Sequence, residues 1–92
     1  MTALVIPTVN INGTPAADLI EQLSAVCHAL DHAREAIGLA TPHGRDFQMN
    51  GQGLAEQARE AFRERQRVLA RMSADFMDLA LAIQSQGRSL PK

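Results

Sequence analysis

Two stretches of the chain carry apolar residues at spacings that alternate between three and four, the repeat of helices that pack along a heptad seam. One stretch lies in residues 15–39 and the other in residues 54–86, where Arg65 is the one seam residue that is not apolar. The first seam consists of Ala16, Leu19, Leu23, Val26, Leu30, Ala33 and Ile37. The second seam consists of Ala58, Phe62, Arg65, Leu69, Met72, Phe76, Leu79 and Ile83. The pattern therefore predicts two helices.

Turn-forming and capping residues mark the limits of these helices. Thr14 is a suitable N-cap and Pro15 a suitable first helical residue, and Gly38 with Pro42 predicts the end of the first helix. Residues 41–53 contain three Gly and one Pro and predict a loop. Residues 1–13 are rich in Val, Ile and Thr but contain Pro7, which predicts an extended arm. Residues 87–92 predict a frayed tail.

Together these elements predict an all-α fold, an antiparallel helical hairpin with an extended N-terminal arm, formed by residues 1–92 as a single domain. Val68, Met77, Ala80 and Ala82 widen the apolar face of the second helix beyond its seam. This surplus needs a partner, so we expect a homodimer or higher homo-oligomer, formed as a four-helix bundle. The arm either pairs with its copy in the partner chain or lies across the bundle.

The small size of the chain also favours an oligomer. It has 92 residues, 46% of them hydrophobic and 3% aromatic, and a single Cys that cannot form an intramolecular disulfide. A chain of this length buries only about 60–65% of its unfolded surface, and oligomerisation is a usual remedy. The formal net charge is -1, which offers no general attraction to nucleic acid or membranes. No signal peptide or membrane span is predicted, and we expect a cytoplasmic protein.

The sequence offers little for catalysis. His28 and His32 lie one helical turn apart, but neither a third metal ligand nor an intervening Glu accompanies them, so a polar helix flank is the favoured interpretation. Cys27 falls within the helical pattern and is expected to be a buried thiol. No P-loop, dinucleotide fingerprint or nucleophile elbow is present. We therefore expect a protein without catalytic residues, metal or cofactor.

Four arginines spaced by four residues form a ridge on the second helix and are a candidate surface for an acidic partner or an anion. They are Arg59, Arg63, Arg67 and Arg71. The alternative is a solvated face of weak ion pairs, in which Glu56, Glu60 and Glu64 each meet the arginine three positions later. By this pattern Arg71 is the arginine without such a partner.

Arg65 differs from these arginines because it occupies a seam position. In an antiparallel hairpin we expect it near Cys27, His28 and Asp31. Either its long stem extends toward solvent or its head pairs with Asp31, or it sets the register across a dimer interface.

The interhelical loop and the turn before the first helix form a candidate ligand-binding set. Arginine offers a planar fork for phosphate, Phe and His offer flat faces for a base, and a helix N-terminus can hold an anion. The set consists of Asn12, Gly13, Thr14, His43, Gly44, Arg45, Asp46 and Phe47. The alternative is an ordinary turn and an ordinary loop, with Phe47 covering the end of the bundle.

Residues 6–14, IPTVNINGT, and residues 42–47, PHGRDF, resemble motifs of a group of small, largely uncharacterised bacteriophage and prophage proteins. In that group an arm of the pattern IPTxxxNGT precedes a helix, and a loop of the pattern PxGRD-aromatic precedes a second helix. In size and expected architecture the chain is also similar to the helical anti-defence sponges of phages, which sequester cyclic nucleotide signals.

The resemblance implies a non-enzymatic phage or prophage accessory protein that inhibits host defence by binding. One form of this hypothesis is sequestration of a signalling nucleotide by Arg45, Phe47 and the Asn12–Thr14 turn. An alternative is an interaction module that docks on a host defence complex through the second helix, as anti-CRISPR proteins do. A further alternative is a virion assembly adaptor. DNA binding ranks lower, because glutamates neutralise the arginines locally.

Overall fold

The protein consists of two long helices packed as an antiparallel hairpin, which confirms the predicted all-α fold. The computed structural model describes residues 2–8, 13–43 and 52–89. Helix α1 spans Ala16–Ala40 and helix α2 spans Gln52–Ser89, and the described ranges contain no strand. The molecule measures 67 × 20 × 17 Å. No helix in those ranges combines the length and the apolar character required to cross a membrane.

Two interhelical hydrogen bonds define the register of the hairpin. The thiol of Cys27 donates to the carbonyl of Ser73 at 3.4 Å, and Nε2 of Gln66 donates to the carbonyl of Arg34 at 3.0 Å. Seven residues forward along α1 correspond to seven residues back along α2. The helices are therefore antiparallel, and Cys27 is a buried thiol, as predicted.

The helix limits differ slightly from the prediction. The N-cap of α1 is Pro15 and not Thr14, because Pro15 has an extended ψ of 143° and the helix begins one residue later. No side chain caps this end, and the Pro15 carbonyl accepts from the N–H groups of Asp18 and Leu19 at 3.0 and 3.1 Å. At the other end, the Thr41 hydroxyl donates to the Ile37 carbonyl at 3.0 Å.

Helix α2 is longer than the predicted 54–86. It begins two residues earlier and continues through Gly87 to Ser89, so the first part of the predicted frayed tail is helical. Of the predicted 41–53 loop, residues 41–43 are described without regular structure, and residues 44–51 lie outside the described part of the chain.

Several residues that join the helices lie one position after the predicted seam. Cys27 is 5% exposed whereas Val26 is 36% exposed, and on α2 Ala80 is 8% exposed. Gln66 and Ser73 make the interhelical hydrogen bonds. The predicted seam positions Val26 and Arg65 are exposed, whereas Ile83 of the predicted seam is 1% exposed.

This offset gives the hairpin two different flanks. Successive helix residues point about 100° apart. Because the helices are antiparallel, the residue that precedes each interface residue points to the same flank of the hairpin on α1 and on α2. We call that flank the seam side. Its large apolar residues include Leu19, Leu30, Phe62, Leu69, Met72 and Phe76, all of intermediate exposure. The opposite flank, the groove side, carries the clefts described below.

Arg65 is exposed and does not lie beside Cys27, His28 and Asp31. The register places Ser73 opposite Cys27, and Gln66 occupies the interface position expected for Arg65. Nη1 of Arg65 donates to the carbonyl of Ala61 at 3.0 Å, within its own helix. The predicted pairing with Asp31 is also absent, since Asp31 pairs with Arg34 at 3.3 Å.

The described part of the N-terminal arm, residues 2–8, has no regular secondary structure and lies along the C-terminal half of α2. Nε2 of Gln86 donates to the carbonyl of Pro7 at 2.8 Å. A cleft of about 500 Å³ separates arm and helix, and Ile6, Arg71, Asp75 and Leu79 are among its walls. Within one chain the arm thus packs on α2.

The hydrophobic core is small. Among the described residues, the apolar side chains that are buried are Cys27, Ala55, Ala80 and Ile83, and Ile83 is the one large side chain that is almost wholly covered. Two helices enclose little volume, so most of the apolar residues remain partly exposed.

Candidate functional site

A charged groove runs along the groove side between the C-terminal half of α1 and the N-terminal half of α2. It has a volume of about 570 Å³. Its lining residues are Asp31, Arg34, Glu35, Arg63, Gln66, Arg67 and Ala70. Gln66 lies at the bottom of this groove, where its amide donates a hydrogen bond to the backbone carbonyl of Arg34 on the other helix. The Nε of Arg34 is buried without a hydrogen-bond partner among the described residues.

Carboxylates meet most of the arginines along this stretch of α2. Glu60 accepts from Arg63 at 3.1 Å and from Arg67 at 2.6 Å. Glu56 pairs with Arg59 and, at 4.0 Å, with Arg63. The predicted pairs of Glu56 with Arg59 and of Glu60 with Arg63 are confirmed. Arg67 pairs with Glu60, two turns earlier, and not with the predicted Glu64.

These contacts lower the pKa of two carboxyl groups. Hydrogen bonds from Arg67 and Arg63 lower the pKa of Glu60, and the hydrogen bond and the charge of Arg59 lower that of Glu56. Both carboxylates therefore remain ionised and balance the arginines beside them. This balance makes the surface a mixed-charge face and not a concentrated anion site.

The arginine ridge divides between two surfaces. Arg63 and Arg67 line the charged groove, whereas Arg71 lines the cleft beneath the arm together with Asp75 and Asp78. Residues four apart advance by about 40° around a helix, so the row winds away from the groove. Among the described residues Arg71 has no ion pair within 4 Å, which agrees with the pattern expected from its lack of a preceding Glu.

An apolar pocket of about 190 Å³ continues the groove side toward the open end of the hairpin. It is lined by Ile20, Ser24, Cys27, Met77, Ala80, Leu81 and Gln84. Met77 is 46% exposed and Leu81 is 53% exposed. The groove side thus combines a charged half and an apolar half along one flank.

The described members of the predicted ligand-binding set lie at opposite ends of α1. Gly13 and Thr14 are exposed before α1, and His43 is exposed after it. The 25 residues of α1 separate them by about 38 Å, at 1.5 Å per residue. The other members, Asn12, Gly44, Arg45, Asp46 and Phe47, lie outside the described residues.

The candidate metal and thiol groups are also separated. His28 and His32 are exposed on α1, and the described ranges contain no group of three metal-binding side chains. The thiol of Cys27 is buried and donates to the Ser73 carbonyl, away from His28.

The sequence pattern did not identify the α1 wall of the charged groove. Asp31 and Arg34 are spaced for an ion pair, but their position opposite Gln66 depends on the hairpin register. No family model, curated protein or solved structure matches this chain.

Proposed function

We propose that this protein is a non-enzymatic binding module of a phage or prophage, which inhibits host defence in the host cytoplasm by docking on a host protein. It works as a homodimer or higher homo-oligomer, and the groove side is its docking surface. The observation that carries the proposal is the continuity of the charged groove with the apolar pocket along one flank. Protein interfaces combine apolar and polar contacts, and the groove side offers both along one flank.

The electrostatics favour a protein partner over a free anion. Glu56 and Glu60 remain ionised beside Arg59, Arg63 and Arg67, and Asp31 lies beside Arg34. An anion would have to compete with these carboxylates. A protein surface can present both signs of charge and thereby match the groove.

The double variant Arg63→Glu/Arg67→Glu tests this proposal. It reverses two charges at the groove and should reduce capture of the host partner at least about 30-fold, the effect of an interface hot spot. Capture is measured from host lysate with the purified full chain as bait. In cells, the wild type should restore plaque formation on a defended host and the variant should not.

Arg71→Glu is the matched control, because it reverses a charge of the same ridge on the arm side of α2. It should capture the partner as the wild type does. Equal capture by the groove variant and the wild type, with both proteins folded by circular dichroism, would contradict docking through the groove.

Sequestration of a signalling nucleotide is the second candidate. Thr14 and His43 lie at opposite ends of α1, so in this proposal the two halves of the grip come from different chains. A pair of hairpins in opposite directions places the turn of one near the loop of the other. The nucleotide-binding site would then be formed by two copies of the chain, so binding would depend on the oligomer.

Incubation with a panel of cyclic nucleotides tests this second candidate. The protein should deplete one of them from solution and return it intact on denaturation, and Arg45→Ala should abolish depletion because the guanidinium fork is lost. The panel is quantified by mass spectrometry, with Arg71→Ala as control. Undiminished binding by Arg45→Ala would refute the proposed grip.

A further inference from the structure

The charged groove and the apolar pocket follow one another along the groove side, between α1 and α2. Small side chains, those of Ser24, Cys27, Ala70 and Ala80, lie among their lining residues. On α2 the lining extends over residues 63–84, a length of about 32 Å at 1.5 Å per residue. Small side chains at a contact allow the axis of another element to approach closely. The groove side can therefore receive an elongated element that lies parallel to the hairpin.

The backbone of both walls is already engaged within the helices. The lining residues lie in residues 20–35 of α1 and 63–84 of α2, where N–H and C=O groups bond along the helix. An extended peptide binds chiefly by pairing its backbone with the edge of a sheet. Against helical walls its own backbone groups would lose water without gaining partners. A helix satisfies these groups internally, so the groove side favours a helical occupant over an extended one.

The half of the groove side near the open end of the hairpin is apolar. Met77 and Leu81 lie one turn apart on α2 and are 46% and 53% exposed, and Ile20 of α1 lines the same pocket. Apolar residues spaced by three or four on one face of a docking helix would cover both side chains. The flexible methionine side chain can adapt to such a face.

The other half carries different charges on its two walls. On α1, Arg34 pairs with Asp31, whereas Glu35 is exposed and has no ion pair among the described residues. On α2, two lining arginines share the carboxylate of Glu60. These arginines are Arg63 and Arg67. In the ion pairs of α2 as a whole, three arginines share two carboxylates. The α1 wall therefore favours a basic contact and the α2 wall an acidic one.

We propose that the groove side binds a single amphipathic α-helix of the partner protein. About 20 residues of helix span its length. Apolar residues in one half of this helix cover Met77 and Leu81. In the other half, acidic residues face the arginines of α2 and basic residues face Glu35 of α1. The inference rests on the docking surface of the proposed function and adds the chemistry of the segment that occupies it.

Selection from a displayed library of random 20-residue peptides, with the purified full chain as target, tests the class of occupant. The enriched peptides should carry apolar residues at spacings of three and four in one half and both signs of charge in the other. Circular dichroism should show that an enriched peptide gains helix on binding. Enrichment of peptides that alternate apolar and polar residues, or of none, would overturn the inference.

Leu81→Glu tests the apolar half. It should weaken binding of an enriched peptide at least about 30-fold, as measured by fluorescence anisotropy. Val68→Glu is the matched control, because Val68 is 48% exposed but lies about 180° around α2 from Met77. It should bind the peptide as the wild type does. With both variants helical by circular dichroism, undiminished binding by Leu81→Glu would contradict the proposed contact.

Exchange of charge tests the two flanks. Arg67→Glu should weaken peptide binding about fivefold, and replacement of the acidic flank of the peptide by lysines should restore it. Glu35→Lys should act likewise and be rescued by glutamates on the basic flank. If neither variant is rescued by its matching peptide, the assignment of the flanks is wrong.

Failure of the proposed function gives a different result. Helical peptides then bind the groove side, but Arg63→Glu/Arg67→Glu captures host proteins as the wild type does. If that variant loses host capture while no helical peptide is enriched, docking through the groove side stands and the helical occupant is refuted.

Discussion

At the scale of single residues, two glycines have opposite roles. Gly53 lies in the first turn of α2, where an added Cβ would meet no atom within 4 Å. Gly38 lies near the end of α1, where an added Cβ would approach Nε2 of Gln66 to 3.1 Å. The first glycine is therefore replaceable, whereas the second gives room to the side chain that joins the helices.

We expect Gly53→Ala to raise the free energy of unfolding by up to about 1 kcal/mol, because alanine loses less backbone entropy in a helix. Gly38→Ala gains the same entropy but displaces the Gln66 amide, which weakens its 3.0 Å hydrogen bond to Arg34. Its net effect should be smaller or destabilising. Urea unfolding measures both, and equal stabilisation by the two variants would show that Gln66 adapts without loss.

The apolar repeat could predict α1 and α2 to within a few residues, but not which edge of the stripe faces the neighbouring helix. Residues spaced by three and four define a stripe along the helix. Val26 belongs to this stripe and Cys27 lies next to it, so the pattern alone does not distinguish which of the two faces α2. Which edge of the stripe faces the neighbouring helix depends on what else packs against the hairpin. The charged groove depends likewise on register, since Arg34 meets Gln66 only when Cys27 meets Ser73. The contact of Pro7 with Gln86 joins distant parts of the chain, so no local pattern predicts it.

At the scale of the element, the glutamates of α2 predict a dependence on pH. The pKa of Glu60 is lowered in the folded protein, so its ion pairs stabilise the fold above the unfolded value of 4.5. This contribution is lost as the pH falls through the lowered pKa. Because Glu60 is exposed, the effect is small and screened by salt.

Glu60→Gln should therefore be slightly less stable than the wild type at pH 7, and the difference should disappear as the pH falls well below 4.5. Urea unfolding at low salt across this interval measures it. Glu64→Gln is the control, because Glu64 has no ion pair among the described residues. A difference for Glu60→Gln that is constant down to pH 3 would contradict an ionic origin.

At the scale of the whole molecule, shape and charge are both distributed along one axis. The hairpin is more than three times as long as it is wide, with extents of 67 × 20 × 17 Å. The ion pairs of Arg59, Arg63 and Arg67 with Glu56 and Glu60 all lie in the first half of α2, at one end of that length. Under the proposal above, the groove side is the flank that binds a host protein.

The small core has a consequence for how the activity of this protein depends on its concentration in the cell. Few side chains among the described residues are buried within one chain. Under the proposed homo-oligomer, folding would therefore draw part of its free energy from association, and the folded fraction would rise with concentration. A cell that holds only a few copies would contain mostly unfolded chains, which proteases degrade. A burst of synthesis would cross the threshold for folding abruptly. The amount of protein made would then act as the switch that turns its activity on.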